Sequence, residues 1–219
     1  MEIHVEPTSS AASAYTARRI ARRLADAVAG RGAAAIAFSG GDTPKPMLDL
    51  LAVTDLPWEA ITAYQVDERV APDGDPARNA GLFGVLPLPK GNLKLMPVTA
   101  ADHRAACRRY AATLPAQFDV IHLGIGDDGH TASWPPGDPV VEVTDPVAMC
   151  GMFNGHIRMT LTPPIVNGAR WRIVEVYGSS KADAVRGWAA GDESLPITNV
   201  RRTATVASLD AEAAARLPS

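Results

Sequence analysis

Cysteine is nearly absent: among 219 residues only Cys107 and Cys150 occur, far apart in the chain. They match neither a metal-knuckle spacing nor a dense disulfide framework, so two free thiols, buried or part-buried, are expected. Excess positive charge is missing too. Twenty-one Lys and Arg against 24 Asp and Glu leave a formal net charge of −3, without the broad basic field that a nucleic-acid binder needs. No window approaches the ~18 uninterrupted apolar residues of a membrane span. The first ten residues, MEIHVEPTSS, lack a basic leader followed by an apolar stretch. The expectation is a soluble cytoplasmic protein with neither nucleic-acid nor membrane partners. Long linkers, low-complexity tracts and internal repeats are absent as well. So are the GxxxxGK[ST] and GxGxxG patterns that usually support ATP or dinucleotide binding.

What the chain does contain is 47% hydrophobic and 21% charged residues, ample for a sizeable core. Its length suits one large domain or two small ones at ~150 residues per domain. Eighteen Gly and 18 Pro are spread along it and punctuate it into short elements. Thr8-Ser9-Ser10 offers N-caps for a helix with Ile20, Leu24 and Val28 on one stripe, ended by Gly30 and Gly32. Arg18, Arg19, Arg22 and Arg23 fall on its other faces, read as a solvated surface. Ala33 to Phe38 reads as a buried strand, turning at Ser39-Gly40-Gly41 into a helix spanning Met47 to Leu51. Ile61 to Val66 reads as a strand ending in Asp67-Glu68-Arg69, residues 103 to 112 as a helix, and Phe118 to Leu123 as a strand ending in Gly124-Ile125-Gly126. Trp171 to Tyr177 is a further strand, and a helix follows from Ser180 to Ala190. Strands alternating with helices predict an α/β fold: a mainly parallel sheet with helices on both faces.

Four polar or glycine-rich clusters each follow a predicted strand, and in an open parallel sheet such loops converge on one rim where ligands bind. In Ser39-Gly40-Gly41-Asp42-Thr43-Pro44 the glycines admit close backbone approach, and the Ser39 and Thr43 hydroxyls add donors, which makes a phosphate cradle or an ordinary strand-to-helix turn. Arg69 and Lys181 are the cations expected on the same rim. His130, in Gly126-Asp127-Asp128-Gly129-His130, alone among five histidines lies between glycines and acids at a strand end. An imidazole with pKa near ~6.5 can accept and return a proton at neutral pH, and Asp128 is placed to orient it. His122 reads as strand interior and His103 as helix surface. No second His or Cys stands at ligand spacing from His130, so no metal is expected.

These residues resemble those of the 6-phosphogluconolactonases. Ser39-Gly40-Gly41-Asp42-Thr43-Pro44-Lys45-Pro46 is similar to their SGGSTPKxLY loop, and Val66-Asp67-Glu68-Arg69 with Pro72, Asp75, Pro76 and Asn79 to their WGDERxVPxxDxxSN segment. Residues 124 to 133, GIGDDGHTAS, resemble LGxGxDGHTAS; Arg158-Met159-Thr160-Leu161-Thr162 resembles RITLT, and Gly178-Ser179-Ser180-Lys181-Ala182 resembles GxxKA. The likeness runs in order from about residue 33 to residue 201. It implies a single lactonase-like domain over residues 1–219, with the Rossmann-like sheet and smaller appended α/β part shared by lactonases, glucosamine-6-phosphate deaminases and ribose-5-phosphate isomerase. It also implies hydrolysis of 6-phospho-D-glucono-1,5-lactone, a sugar-phosphate lactone of the oxidative pentose phosphate pathway, with no cofactor, by a monomer or homodimer. His130 would be the general base and Asp128 its support. Ser39, Gly40, Gly41, Thr43, Asp67, Arg69, Arg158 and Lys181 would bind substrate. Asp42 stands where Ser or Thr is usual, and a carboxylate there must point away from a phosphate. Two alternatives compete. The deaminases share GxGxDGH but follow it with a segment carrying a Glu, where this chain has Thr131-Ala132-Ser133-Trp134. A non-catalytic sugar-phosphate sensor would carry an attached DNA-binding segment, for which the ~32 residues before the first glycine loop are too few.

Overall fold

In the computed structural model, which describes residues 1–218, the chain opens with an edge strand β1 (Glu2–Glu6) and a long helix α1 (Ser9–Arg31). Thr8 caps α1, its hydroxyl accepting from the Ala11 amide at 3.2 Å. Gly32 closes it in the left-handed region (φ 77°) and donates to Val28 O, where any other L residue would be strained. Ile20 and Leu24 are fully buried, as their spacing predicts. Of the arginines on the remaining faces, Arg18, Arg22 and Arg23 are exposed, and Arg19 and Arg23 lay their guanidinium groups over the Trp171 ring at 5.6 and 5.2 Å. The charged side of α1 therefore doubles as a cover for an aromatic ring.

Six further strands join β1: β2 (Ala34–Phe38), β3 (Ile61–Gln65), β5 (Leu93–Lys94), β6 (Val120–Gly124), β9 (Trp171–Val176) and β10 (Thr205–Asp210). They pair in the order β1-β10-β9-β6-β2-β3-β5, and every pairing is parallel. Alternating side chains split the core in two. Ile36, Phe38, Val120 and Ile173 face α1 and α2 (Lys45–Ala52). Ala35, Ala37, Ile121, Leu123 and Val174 face α3 (His103–Ala111) and α5 (Ala182–Ala190). The chain runs outward from β2 in one direction through β3 to β5, and in the other through β6, β9 and β10. That places a topological switch between β2 and β6, where the carboxyl ends leave a crevice. Ser39 N donates to His122 O there, at 3.1 Å.

The sequence places Asp67-Glu68-Arg69 in the turn that ends a strand. They instead form β4 (Asp67–Arg69), the first strand of a second, antiparallel sheet with β8 (His156–Leu161) and β7 (Val147–Phe153), in the order β4-β8-β7. Val66 is the changeover. Its N–H still donates to Phe38 O in the large sheet, while its C=O already accepts from Leu161 N in the small one. The helix expected over 103 to 112 ends at Ala111, and the one expected from Ser180 opens with a 3-10 turn over Ser179–Lys181 before α5. Strand β10 was not legible in the sequence, because Ser208 and Asp210 break its apolar run although all six of its residues are buried.

Arg172 on β9 ties the far end of this framework together. It is fully buried and donates through Nε to Thr205 Oγ1 and through Nη1 to the carbonyls of Val166, Asn167 and Ala169. Its Nη2 donates to those of Thr203 and Ala204. Val166 and Asn167 lie in α4 (Pro163–Gly168). Burial pulls the guanidinium down to about 10, because its partners are dipoles rather than a carboxylate.

Candidate active site

An open cleft of about 180 Å³ lies at the switch point. Nine of the ten site residues expected from the sequence line it: Ser39, Gly40, Gly41, Thr43, Asp67, Arg69, His130, Arg158 and Lys181. The tenth, Asp128, stands behind His130. Its Oδ1 accepts from the His130 amide at 3.0 Å and meets the ring Nδ1 at 2.5 Å. Burial raises the Asp128 carboxyl, but the hydrogen bonds from the amide and ring of His130 outweigh it and hold the group below the usual carboxylate range. With Nδ1 committed to Asp128, Nε2 is the nitrogen left for chemistry.

The loop that carries His130 is shaped by Gly126. Its N–H donates to His130 O at 2.8 Å, and Gly129 N, at φ 80°, returns to Gly126 O. A Cβ on Gly126 would sit 2.0 Å from His130 Nδ1, so the ring occupies the space a side chain would need. Gly126→Ala is expected to push the imidazole off Asp128 and cut kcat about 100-fold, the scale of a ~1 Å misplacement. KM and the thermal midpoint should change little, and steady-state kinetics beside thermal unfolding checks both.

The glycine loop is an open set of donors. Between Ser39 N and Lys45 N, both bonded, the amides of Gly40, Gly41, Asp42 and Thr43 have no backbone acceptor among the described residues. Gly40 must be glycine, since a Cβ there would fall 2.0 Å from Asn79 Cγ. Asp42 points into solvent, where Lys45 Nζ binds it at 2.6 Å and lowers its carboxyl pKa. It therefore does not oppose an anion in the loop.

Opposite the loop, β4 and β8 set Arg69 and Arg158 directly across from one another in register. Like charges facing each other across a strand pair repel, and the site supplies little to separate them. Arg69 Nη1 donates to Ala77 O, and its Nε has no partner. Arg158 Nη1 lies 3.9 Å from Asp67 Oδ2 and Nε donates to Phe153 O. Asp67 is fully buried, which raises its carboxyl, while the Ser133 hydroxyl at 2.6 Å and both arginines pull it back. Lys181 adds a third cation, 3.7 Å from the mostly exposed Asp127. Of the backbone amides just before Lys181, Gly178 N is bonded to Asp210 and Ser179 N to Glu212.

Glu68, between the two charged residues of β4, plays a different part. Completely buried, it accepts from Gln65 Nε2 and from the amides of Arg69, Asn79 and Ala80, and it pairs with Arg78 Nε. It thereby anchors the 69–80 loop so that Asn79 reaches the cleft. The sequence reading missed Asn79, Thr131 and His122 as lining residues, and it missed Phe153. That ring meets His130 edge to face at 4.8 Å and carries the Arg158 guanidinium at 4.9 Å, holding imidazole and cation in a fixed relation. A signal for it was present. Asn154-Gly155 follows Phe153, both at positive φ (46° and 79°), the pairing that marks a two-residue hairpin.

Five residues that line this cleft each carry a buried side-chain polar atom without a hydrogen-bond partner among the described residues: Ser39 Oγ, Arg69 Nε, Asn79 Oδ1, His122 Nδ1 and Thr131 Oγ1. Orphans are rare in folded proteins, and their concentration here marks a surface built for a polar ligand. Elsewhere, Cys107 and Cys150 are free and buried. No group of three or more His, Cys, Asp and Glu among the described residues is arranged to hold a metal ion. No described helix is long and apolar enough to cross a membrane.

Comparison with known proteins follows the same lines. The family described as glucosamine-6-phosphate isomerases/6-phosphogluconolactonase matches residues 7–208. A 6-phosphogluconolactonase of Synechocystis sp. is 37% identical over 182 residues, covering 76% of this chain and 75% of its own. One from Rhizobium meliloti is 33% identical over 218 residues, covering 92% and 94%. The crystal structure of a 6-phosphogluconolactonase from Shewanella baltica superposes with a TM-score of 0.87 at 26% identity, covering 96% of this chain and 97% of that one.

Proposed function

The chain belongs to the glucosamine-6-phosphate isomerase/6-phosphogluconolactonase family, and from that premise we propose that it is an enzyme hydrolysing 6-phospho-D-glucono-1,5-lactone to 6-phospho-D-gluconate. The observation that carries the reading is the cross-strand pair Arg69 and Arg158, lining one cleft with Lys181, the open amides of the glycine loop and His130. Two arginines paired in register, with the single buried carboxylate of Asp67 beside them, leave positive charge for a further anion to neutralise. A phosphate supplies it, and a bidentate fork suits Arg. The reading takes residues 1–219 as one domain acting in the cytoplasm on a free small molecule. The curated relatives named above are lactonases, and the residues after His130 carry no acid to assist it: Ser133 is bonded to Asp67 and the Trp134 indole to Leu161 O.

In this mechanism the amides of Gly40 to Thr43, with Arg158 and Lys181, hold the phosphate, and Arg69 lies beside it. Holding that group away from the reacting carbon fixes orientation without touching the chemistry. Water attacks C1 of the lactone as His130 Nε2 takes its proton. The tetrahedral intermediate collapses with cleavage of the C1–O5 bond, and the same nitrogen returns the proton to the departing ring oxygen. The new carboxylic acid ionises, so one proton is released per turnover. Asp128 holds the ring tautomer and balances the imidazolium formed midway.

The reaction is tested by stopped-flow with a pH indicator, on lactone generated in situ from glucose 6-phosphate. Acid release well above the spontaneous rate is expected, and none from a folded protein sinks the proposal. Lys181→Ala should raise KM about 10- to 100-fold, the worth of one charge-assisted contact, and leave kcat within about 3-fold. A fall in kcat with KM unchanged would move Lys181 out of ground-state binding.

A further inference from the structure

On the α1 side of the large sheet, just beneath the cleft, lies a chain of buried polar groups that the mechanism above does not use. His122 Nε2 meets Glu175 Oε2 at 2.8 Å, and the two side chains are respectively 1% and 0% exposed. The Tyr177 hydroxyl donates to the other carboxylate oxygen of Glu175, and the Ser13 hydroxyl donates to Tyr177 at 3.1 Å. Burial, reinforced by the Glu175 carboxylate, pushes the Tyr177 phenol well above its ordinary value, so it stays a donor. An ionised carboxylate is acceptor-only. Glu175 therefore takes its second hydrogen from His122 Nε2, and the proton of a neutral ring is placed on that nitrogen. The other ring nitrogen, Nδ1, is then a bare acceptor.

That nitrogen is buried and has no partner, yet His122 lines the cleft alongside Ser39, Gly124 and Thr131. Phe38, its register partner on β2, packs near the ring without offering a polar atom. A buried acceptor left empty costs stability, and the residue that carries it borders the cleft. A donor must complete it. The dianion of a phosphate ester has no proton to give, whereas each ring hydroxyl of a sugar lactone has one.

We propose that His122 is a substrate-binding residue whose Nδ1 accepts a hydrogen bond from a ring hydroxyl of the polyhydroxylated lactone, with Glu175 as the positioning residue that fixes its tautomer. The inference rests on the sugar-lactone reading of the cleft and deepens it. Selection for a hydroxylated ring is then built into the floor of the large sheet, apart from the phosphate loop and the His130 loop.

Two near-isosteric substitutions separate this role from a structural one. Asn places an amide oxygen where Nδ1 lies but cannot reach Glu175. Gln reaches Glu175 but leaves the Nδ1 position empty. Isothermal titration with 6-phosphogluconate should show the Kd raised about 5- to 10-fold in His122→Gln, the scale of one lost neutral hydrogen bond. In His122→Asn it should be restored to within about 2-fold of wild type, and the Kd for inorganic phosphate should be unchanged in both. Gln equal to wild type, or both variants weakened alike, overturns the proposal. A measurement on the unaltered protein guards against a variant that fails to fold. With ¹⁵N-labelled histidine, the lone-pair nitrogen resonance of His122 should move on adding 6-phosphogluconate and stay fixed on adding inorganic phosphate; no movement with either also overturns it. Turnover of the lactone by the same wild-type preparation keeps the two readings apart. Absent turnover with the expected affinity pattern removes the lactonase and leaves the hydroxyl site. Turnover with an indifferent His122 does the reverse.

Discussion

Replacing His130 by alanine should lower kcat by about 100- to 10,000-fold, the range supplied by a positioned acid–base group, while the Kd for 6-phosphogluconate stays within about 3-fold. The two effects separate because the proposed anion-binding groups stand on other elements. Arg69 and Arg158 are held by the β4–β8 pairing, and the amides of Gly40 to Thr43 by the turn after β2. None needs the imidazole. The ring in turn is placed by Asp128, Gly126 and Phe153, so its removal leaves a hole at the reacting centre and little else. The lactone also opens slowly by itself, so the measured residue will be small but finite. The pH-indicator assay beside a product titration reads both quantities, and a variant with undiminished kcat removes His130 from the mechanism. The Asp128 carboxyl lies below the usual range, so its bond to the ring is fully present above the ordinary carboxylate pKa and is lost as pH falls through the lowered one.

Arg172→Met should destabilise the protein by about 3 kcal/mol, a large share of a typical ~5–15 kcal/mol total. Methionine fills much of the volume but donates nothing, so the carbonyls of the buried Val166 and Ala169 and of the half-buried Asn167 lose their donor, while Ala204 O keeps the backbone amide of residue 172 and the exposed Thr203 turns to water. Lysine is no substitute, because a single ammonium cannot span the fork of a guanidinium. The site lies elsewhere in the fold, and Arg172 does not line the cleft. KM and kcat per folded molecule should therefore hold while the urea midpoint drops. A shift below about 1 kcal/mol would mean that the stranded carbonyls find other donors.

Much of the fold was legible because its strands are short, buried and followed by glycine. Ala34–Phe38 and Val120–Gly124 announce themselves as apolar runs ending in Ser-Gly-Gly and Gly-Ile-Gly. The site was legible for a related reason: its polar residues sit immediately after those runs, and the parallel order of the sheet carries them to one rim. What escaped was long-range. Nothing local in Asp67-Glu68-Arg69 says that the chain changes sheets at Val66, since the partner strand lies some ninety residues on, at Arg158–Thr160. Nor does anything local say that Glu68 is the buried anchor of a loop while its neighbours face the cleft. His122 reads correctly as a strand-interior residue, but only the three-dimensional pairing with Glu175 shows that one of its nitrogens is spoken for and the other is not.

The small sheet also sets a timetable. Its strands come from residues 67–69, 147–153 and 156–161, so joining β4 to β8 closes a far longer loop than the hairpin between β7 and β8. Long-range pairings are entropically costly and form late. During refolding, the β7–β8 hairpin is expected to come before the β4–β8 seam. Until that seam closes, Arg69 and Arg158 are not opposed and Asp67 is not enclosed. The wall that opposes the two arginines thus depends on a long-range pairing and not on local secondary structure.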